Sequence, residues 1–175
     1  MSKIVIGFSN PKHNNPISWL IRKINHTPYS HTYVKIYSSS LDRFLVYQAR
    51  GTQVNFVGNK RFESYAQVIQ EFELEVSDEN KTKILQFCVD NAGEGYGVKQ
   101  LLGMLYVSFF KAFKVKKANP FTDGMICTEV VVLLLQLLKI PIDADPNTAD
   151  LNDVYRAVSL TSSAAHSTIM HLQKG

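Results

Sequence analysis

Residues 126–139, Ile-Cys-Thr-Glu-Val-Val-Val-Leu-Leu-Leu-Gln-Leu-Leu-Lys, limit the fold more than any other stretch of this chain. They are apolar nearly all round, through 130–135 and then Leu137 and Leu138. A helix without a polar stripe has to be enclosed on every side, so this one belongs at the centre of a core. Pro141 stops it. The chain has 175 residues, 45% of them apolar, enough to build one compact domain around such a helix without disulfides. Its two cysteines, Cys88 and Cys127, are too few for a disulfide framework, and reduced thiols are expected.

Upstream of that helix the periodicity changes. Residues 3–8 are a short β-branched strand. Asn15-Pro16 is a cap followed by a first-turn proline, and Ile17, Leu20, Ile21 and Ile24 follow at helical spacing, which predicts an amphipathic helix over 16–25. Residues 31–37 and 44–49 read as strands joined by a turn, and 52–57 as a third strand with Gly51 as the bend. In 68–76, Glu71, Glu73 and Glu75 alternate with Phe72, Leu74 and Val76, which predicts a strand with one solvated face. Helices are expected over 79–92, 98–113 and 151–158, and 159–175, rich in Ser, Thr and Ala, reads as a tail ordered only in part. Strands come first and helices later, with the most buried helix late. That order is α+β organisation: one domain over 1–160 and a weakly structured tail over 161–175.

Cys127 opens the central helix. The partial positive charge of a helix N-terminus favours thiolate over thiol, so a low pKa is expected there. Cys88 lies mid-helix on an apolar face and reads as a small buried hydrophobe. Of five histidines, His13 and His26 sit in loops, and His166 and His171 lie in the tail at a spacing that is no convincing metal signal. His31 alone opens a strand that should be central, which makes it the candidate base for Cys127. A third group should orient the imidazole. Gln48, a polar amide in the apolar run Leu45-Val46-Tyr47-Gln48-Ala49, fits that role toward Nδ1–H. Glu129, two residues after the cysteine, is the acidic alternative, or else it anchors the loop before Cys127.

These residues bring a family into view. Ser30-His31-Thr32-Tyr33-Val34 resembles the S-H-[VA]-G-[IL] strand of the NlpC-type papain-like superfamily. The order, histidine first and cysteine last, is similar to its circularly permuted branch, which includes the YiiX-like hydrolases and the lecithin:retinol acyltransferase-like enzymes. Ile126-Cys127-Thr128-Glu129-Val130-Val131 resembles that group's [FY]-C-[ST]-E-[LV]-[VI] motif, and Gly95-Tyr96-Gly97 its cleft-lining G-x-x-Y-[DG] segment. Gln48-Ala49 stands where these proteins usually carry Glu-Ala, a departure that an amide-oriented papain-type site tolerates. The resemblance covers residues 3–157. It implies an antiparallel sheet packed against the helix that carries the cysteine, with Cys127 as nucleophile, His31 as base and Gln48 as orienting residue. Tyr96, Tyr29 and Glu129 are expected at the substrate, and no metal or cofactor is expected.

The implied activity is thiol hydrolysis of an amide or peptide bond in a cell-wall (peptidoglycan) peptide, a peptide conjugate or a lipid-linked amide. Acyl transfer to a lipid, or a binding or structural module that keeps the fold without catalysis, such as a phage or virus component, are the alternatives. Net charge is +4, but no aromatic–basic motif of a nucleic-acid reader is present. Residues 101–117 combine an apolar run with Lys111, Lys114, Lys116 and Lys117, so membrane-surface contact is a further expectation. The N-terminus reads as a strand and not a signal peptide, and no apolar run has transmembrane length, so a cytoplasmic setting is expected, or delivery by a phage particle or secretion system.

Overall fold

The computed structural model describes residues 2–115, 117–121 and 123–172, leaving aside the side chains of 112 and 163–172. Five strands, β1 (Ser2–Pro11), β2 (His31–Ser38), β3 (Arg43–Arg50), β4 (Gln53–Gly58) and β5 (Ala66–Val76), form one antiparallel sheet in the order β4-β3-β2-β1-β5. The β3–β4 hairpin turns at Gly51, whose φ of 76° suits a residue without Cβ. β1 lies between β2 and β5, so the first strand is interior and its seven inner residues are buried, while β2 is the central strand.

One sheet face carries the main core. Ile4, Ile6 and Phe8 of β1 and Val34 and Ile36 of β2 pack there with Tyr47 and Leu74. Helix α5 (Cys127–Leu137) lies on β2 and β3 and also meets α3 (Asp78–Asp90) and α6 (Leu151–Leu172). Val130, Val131, Val132, Leu134 and Leu135 are all buried, as an all-round apolar helix requires. Helix α1 (Pro16–Asn25) has the expected bounds: Asn15 accepts the Ser18 N–H at 3.1 Å, and Pro16 starts the first turn. It packs against α4 (Val98–Ala112).

Three features depart from the sequence reading. A seven-residue helix, α2 (Asn59–Tyr65), covers the second sheet face, where Phe62 is fully buried against Tyr33, Val46 and Ala66. That cover changes the outer face of β5: Glu71, expected in solvent, accepts the Tyr33 hydroxyl at 2.6 Å and pairs with Lys35 at 2.6 Å. Gly7 makes this possible, because a Cβ there would stand 2.2 Å from the Tyr33 ring. Finally, α6 does not stop at Val158 but continues to Leu172; residues 173–175 of the expected tail lie outside the described residues.

Candidate active site

The approach to His31 is built by hydrogen bonds between polar side chains. Asn10 donates to the Pro28 carbonyl at 2.8 Å, the Ser30 hydroxyl donates to Asn10 at 3.0 Å, and Ser30 meets Ser18 of α1 at 2.6 Å. This buried set fixes the entry into β2. His31 then meets Gln48 of β3, Nε2 to Oε1 at 3.0 Å. Gln48 is 2% exposed and its amide donates to the Tyr65 hydroxyl at 2.6 Å. With the amide nitrogen engaged there, its oxygen accepts from Nε2–H, so the free lone pair of the ring sits on Nδ1. The contact expected at Nδ1–H is instead at Nε2: Gln48 bonds His31 through the other ring nitrogen. The Arg50 guanidinium stacks on the Tyr65 ring, 3.9 Å from its centroid.

Cys127 occupies the first helical position of α5, with Ile126 as N-cap. The backbone N–H groups of Thr32, Thr128 and Cys127 itself lie close enough to its sulfur to favour the thiolate. Thr32 immediately follows His31, so the thiol sits at the same end of β2 as the imidazole. Among the described residues no hydrogen bond joins the two side chains, and apo sites commonly tighten only when substrate binds. Tyr96 stands at the same junction. It lines the cleft and is close enough to Cys127 for a charge on the sulfur to act on its hydroxyl, which burial already pushes up. The backbone crossing that places it is tight: Met125 N–H donates to the Gly95 carbonyl at 3.0 Å and Gly97 N–H to the Met125 carbonyl at 3.1 Å. A Cβ on Gly124, at φ 83°, would stand 2.7 Å from that Gly95 oxygen.

Burial decides the protonation states. It pushes the Cys127 thiol up, and the three backbone N–H bonds oppose it without winning. Burial pushes His31 down to about 4; the Gln48 hydrogen bond opposes this and the Arg50 charge reinforces it. The expected resting thiolate is therefore corrected: at neutral pH the pair is thiol and neutral imidazole, because desolvation outweighs the helix-terminus charge.

The cleft over His31 has a volume of about 420 Å³ and is walled by α1, α2, Tyr96 and the head of α4. Among the described residues that line it, Arg50 is the single fixed charge, and none is Asp or Glu. Cys127, 6% exposed, does not itself line it. A larger cavity of about 700 Å³, among Lys111, Lys114, Asp143, Asp145 and Asp153, holds neither cysteine nor histidine.

The remaining candidates separate cleanly. Glu129 is not the imidazole partner; it accepts from the Ile126 N–H at 3.4 Å and from Gln100 at 2.8 Å, tying the α5 head to α4. Tyr29, expected at the substrate, is a core residue, 5% exposed, with its ring 4.6 Å from Phe8 and 5.8 Å from Tyr155. Cys88 is fully buried, and burial pushes its thiol up. His13 and His26 are exposed; the side chains of His166 and His171 lie outside the described residues. Sequence reasoning missed Tyr65, Arg50, Gln100 and the Thr32 N–H. Tyr65 rides on the short helix that periodicity did not reveal, while Arg50, two residues past Gln48 on the same strand face, was open to detection. No family model matches this chain, and no curated protein matches it either.

Proposed function

We propose that this chain is a cysteine hydrolase of the permuted NlpC-type papain-like kind, cleaving an amide or peptide bond through an acyl-enzyme on Cys127. What supports this reading is that two prepared groups border the first residues of β2. One is a helix-head thiol ringed by backbone N–H donors; the other is a histidine held through Nε2 by a buried, doubly bonded amide. In the proposed reaction Sγ attacks the carbonyl carbon while His31 Nδ1 takes the thiol proton, so His31 acts as general base. The backbone N–H groups around the sulfur stabilise the oxyanion. The imidazolium returns its proton to the departing amine as the C–N bond breaks. Water, deprotonated by His31, then attacks the thioester, releasing the acid and restoring the thiol. Arg50, the lone fixed charge of the cleft, favours a substrate with an anionic group near the scissile bond, such as a peptide carboxylate of a cell-wall polymer or the phosphate of a lipid-linked amide.

A second reading, transfer of the acyl group to another nucleophile in place of water, is favoured by one feature. Ile17 and Val98 line the cleft yet are 53% and 55% exposed, giving it an apolar lip that suits a lipid. The test is acylation by a p-nitrophenyl ester followed by mass spectrometry. A single acyl adduct on Cys127, absent from Cys127→Ala and strongly slowed in His31→Ala, supports the enzyme. Adding an amine or a lysophospholipid then separates the readings, since a transferase diverts the acyl group to it. A folded protein whose Cys127 never acylates, or acylates equally without His31, would be a binding or structural module instead.

A further inference from the structure

Helix α4 is apolar on two sides, and only one of them faces the core. Leu101, Met104, Leu105 and Val107 are buried. Val98, Leu102, Tyr106, Phe109 and the C-cap Phe113 recur every three or four residues, which places them in one stripe on the helix surface. That stripe is 55%, 57%, 44%, 52% and 66% exposed in turn. It runs to the cleft, which Val98 lines together with Ile17 of α1. Ordinary monomer surfaces scatter such residues singly, and five on one helix face mark an interaction site.

Within α4, α1 and the segments beside them the charge has one sign, while Asp143, Asp145 and Asp153 share the larger cavity with Lys111, Lys114 and Lys117. No Asp or Glu occurs over 95–122 or over 1–41, the two stretches that contain α4 and α1. Lys99 on α4 and Lys114 and Lys117 after it are exposed, as are Lys23 on α1 and Lys12 before it. Lys111 is engaged elsewhere, with Asp150 at 2.9 Å and Asp153 at 2.8 Å. No helix among the described residues is long and apolar enough to cross a membrane, and α4 has 15 residues.

From this we infer that the α1–α4 face docks on an anionic lipid bilayer, with α4 lying along the headgroup region and the cleft mouth at the lipid surface. Aromatic and aliphatic side chains projecting from one side of a helix, rimmed by lysines, are the chemistry that an anionic headgroup layer over an acyl interior accepts. A second copy of the chain is disfavoured, because two such rims would bring like charges together. The inference concerns adhesion and does not rest on the thiol reaction.

The test uses the full-length Cys127→Ala protein, so that chemistry cannot intervene. It is co-sedimented with vesicles of phosphatidylcholine containing a minority of phosphatidylglycerol, and with vesicles of phosphatidylcholine alone. Binding is expected to the first, weakened by added salt. Phe109→Ser should bind about tenfold or more weakly, and Lys99→Gln and Lys114→Gln about fivefold each, with melting temperatures unchanged because all three side chains are exposed. No sedimentation of the folded protein with anionic vesicles would overturn the inference. Equal binding to both vesicle types, indifferent to the lysines, would overturn it too. So would a concentration-dependent dimer that Phe109→Ser abolishes, which would make the face a contact between copies.

Discussion

The two cysteines are equally hidden and chemically unlike. Cys88 is 0% and Cys127 6% exposed, and burial pushes both thiols up. Cys88 sits mid-helix in α3, where every backbone N–H is spent on the helix itself, and burial is the sole influence on it. Cys127 starts a helix, where the first N–H groups have no intrahelical acceptor, so its own N–H and that of Thr128 turn to the sulfur while β2 adds the Thr32 N–H. Low exposure therefore does not separate the two thiols; unspent backbone donors do.

Alkylation of the native protein is the sharpest way to break that comparison. Cys88 should react only through global opening, on the order of a thousandfold or more slower than Cys127. Iodoacetamide labelling followed by peptide mapping reads both sites at once. Comparable rates would mean that the donors around Cys127 confer nothing. The pH profile of the Cys127 rate should rise only through and above the ordinary thiol range, since burial raises that group. A midpoint below neutrality would show an ion pair that the buried, depressed imidazole does not support.

Stability against pH tests the same balance on the imidazole side. His31 in the folded protein titrates at about 4 against an ordinary value of 6.5. Between those values the unfolded chain binds the proton and the folded one does not, so stability falls as pH drops from about 6.5 to about 4. His31 as a residue is half-buried, so solvent screens part of the effect and the loss is at most ~3 kcal/mol. Urea midpoints across that window should fall in the wild type and stay flatter in His31→Ala. At the alkaline end the sign reverses: a raised folded thiol holds its proton while the unfolded one ionises, so stability declines above the ordinary thiol range. Cys88→Ala and Cys127→Ala should each flatten that decline.

Acylation rates probe the dyad itself. His31→Ala should lose about a hundredfold, the low end of general-base contributions, and Gln48→Leu about tenfold, since the base remains but its ring is no longer held. An unchanged rate in Gln48→Leu would mean that the 3.0 Å bond to His31 is structural only.

What could be read in the chain follows from how local the governing physics is. The α1 bounds were legible because Asn15 and Pro16 are a cap and a first-turn residue acting on their own neighbours. α5 was legible because only enclosure satisfies a helix without a polar side. Helix α2 was not: it has no side-chain cap, and one buried residue, Phe62, gives no periodicity. The extension of α6 was hidden by its Ser, Thr and Ala content, which reads as weak structure when packing is unknown. At the site, the pairing of His31 with Gln48 was legible and its geometry was not. Gln48 was found, but the nitrogen it holds depends on Tyr65 from the helix that was missed. Tyr29 was misplaced because its neighbours Phe8 and Tyr155 come from opposite ends of the chain.

The smallest effect expected is at Glu129, and it bears on what prepares the helix head. The carboxylate accepts from the Ile126 N–H and from Gln100, whose other amide atom, Oε1, is buried without a partner among the described residues. Burial pushes Glu129 up, and the Gln100 and Ile126 hydrogen bonds oppose it. Glu129→Gln keeps the shape and one acceptor oxygen, so the cost should be about 1 kcal/mol, the size of a lost capping interaction. Gln100 is already 0% exposed and can present its amide only as α4 places it. If Glu129 serves only to close the cap, Glu129→Gln will lower the melting temperature and leave the Cys127 labelling rate as it was. If the link to α4 also sets the angle at which the first N–H groups meet the sulfur, labelling will slow by more than stability falls, and Gln100→Leu will reproduce that slowing without touching the α5 cap.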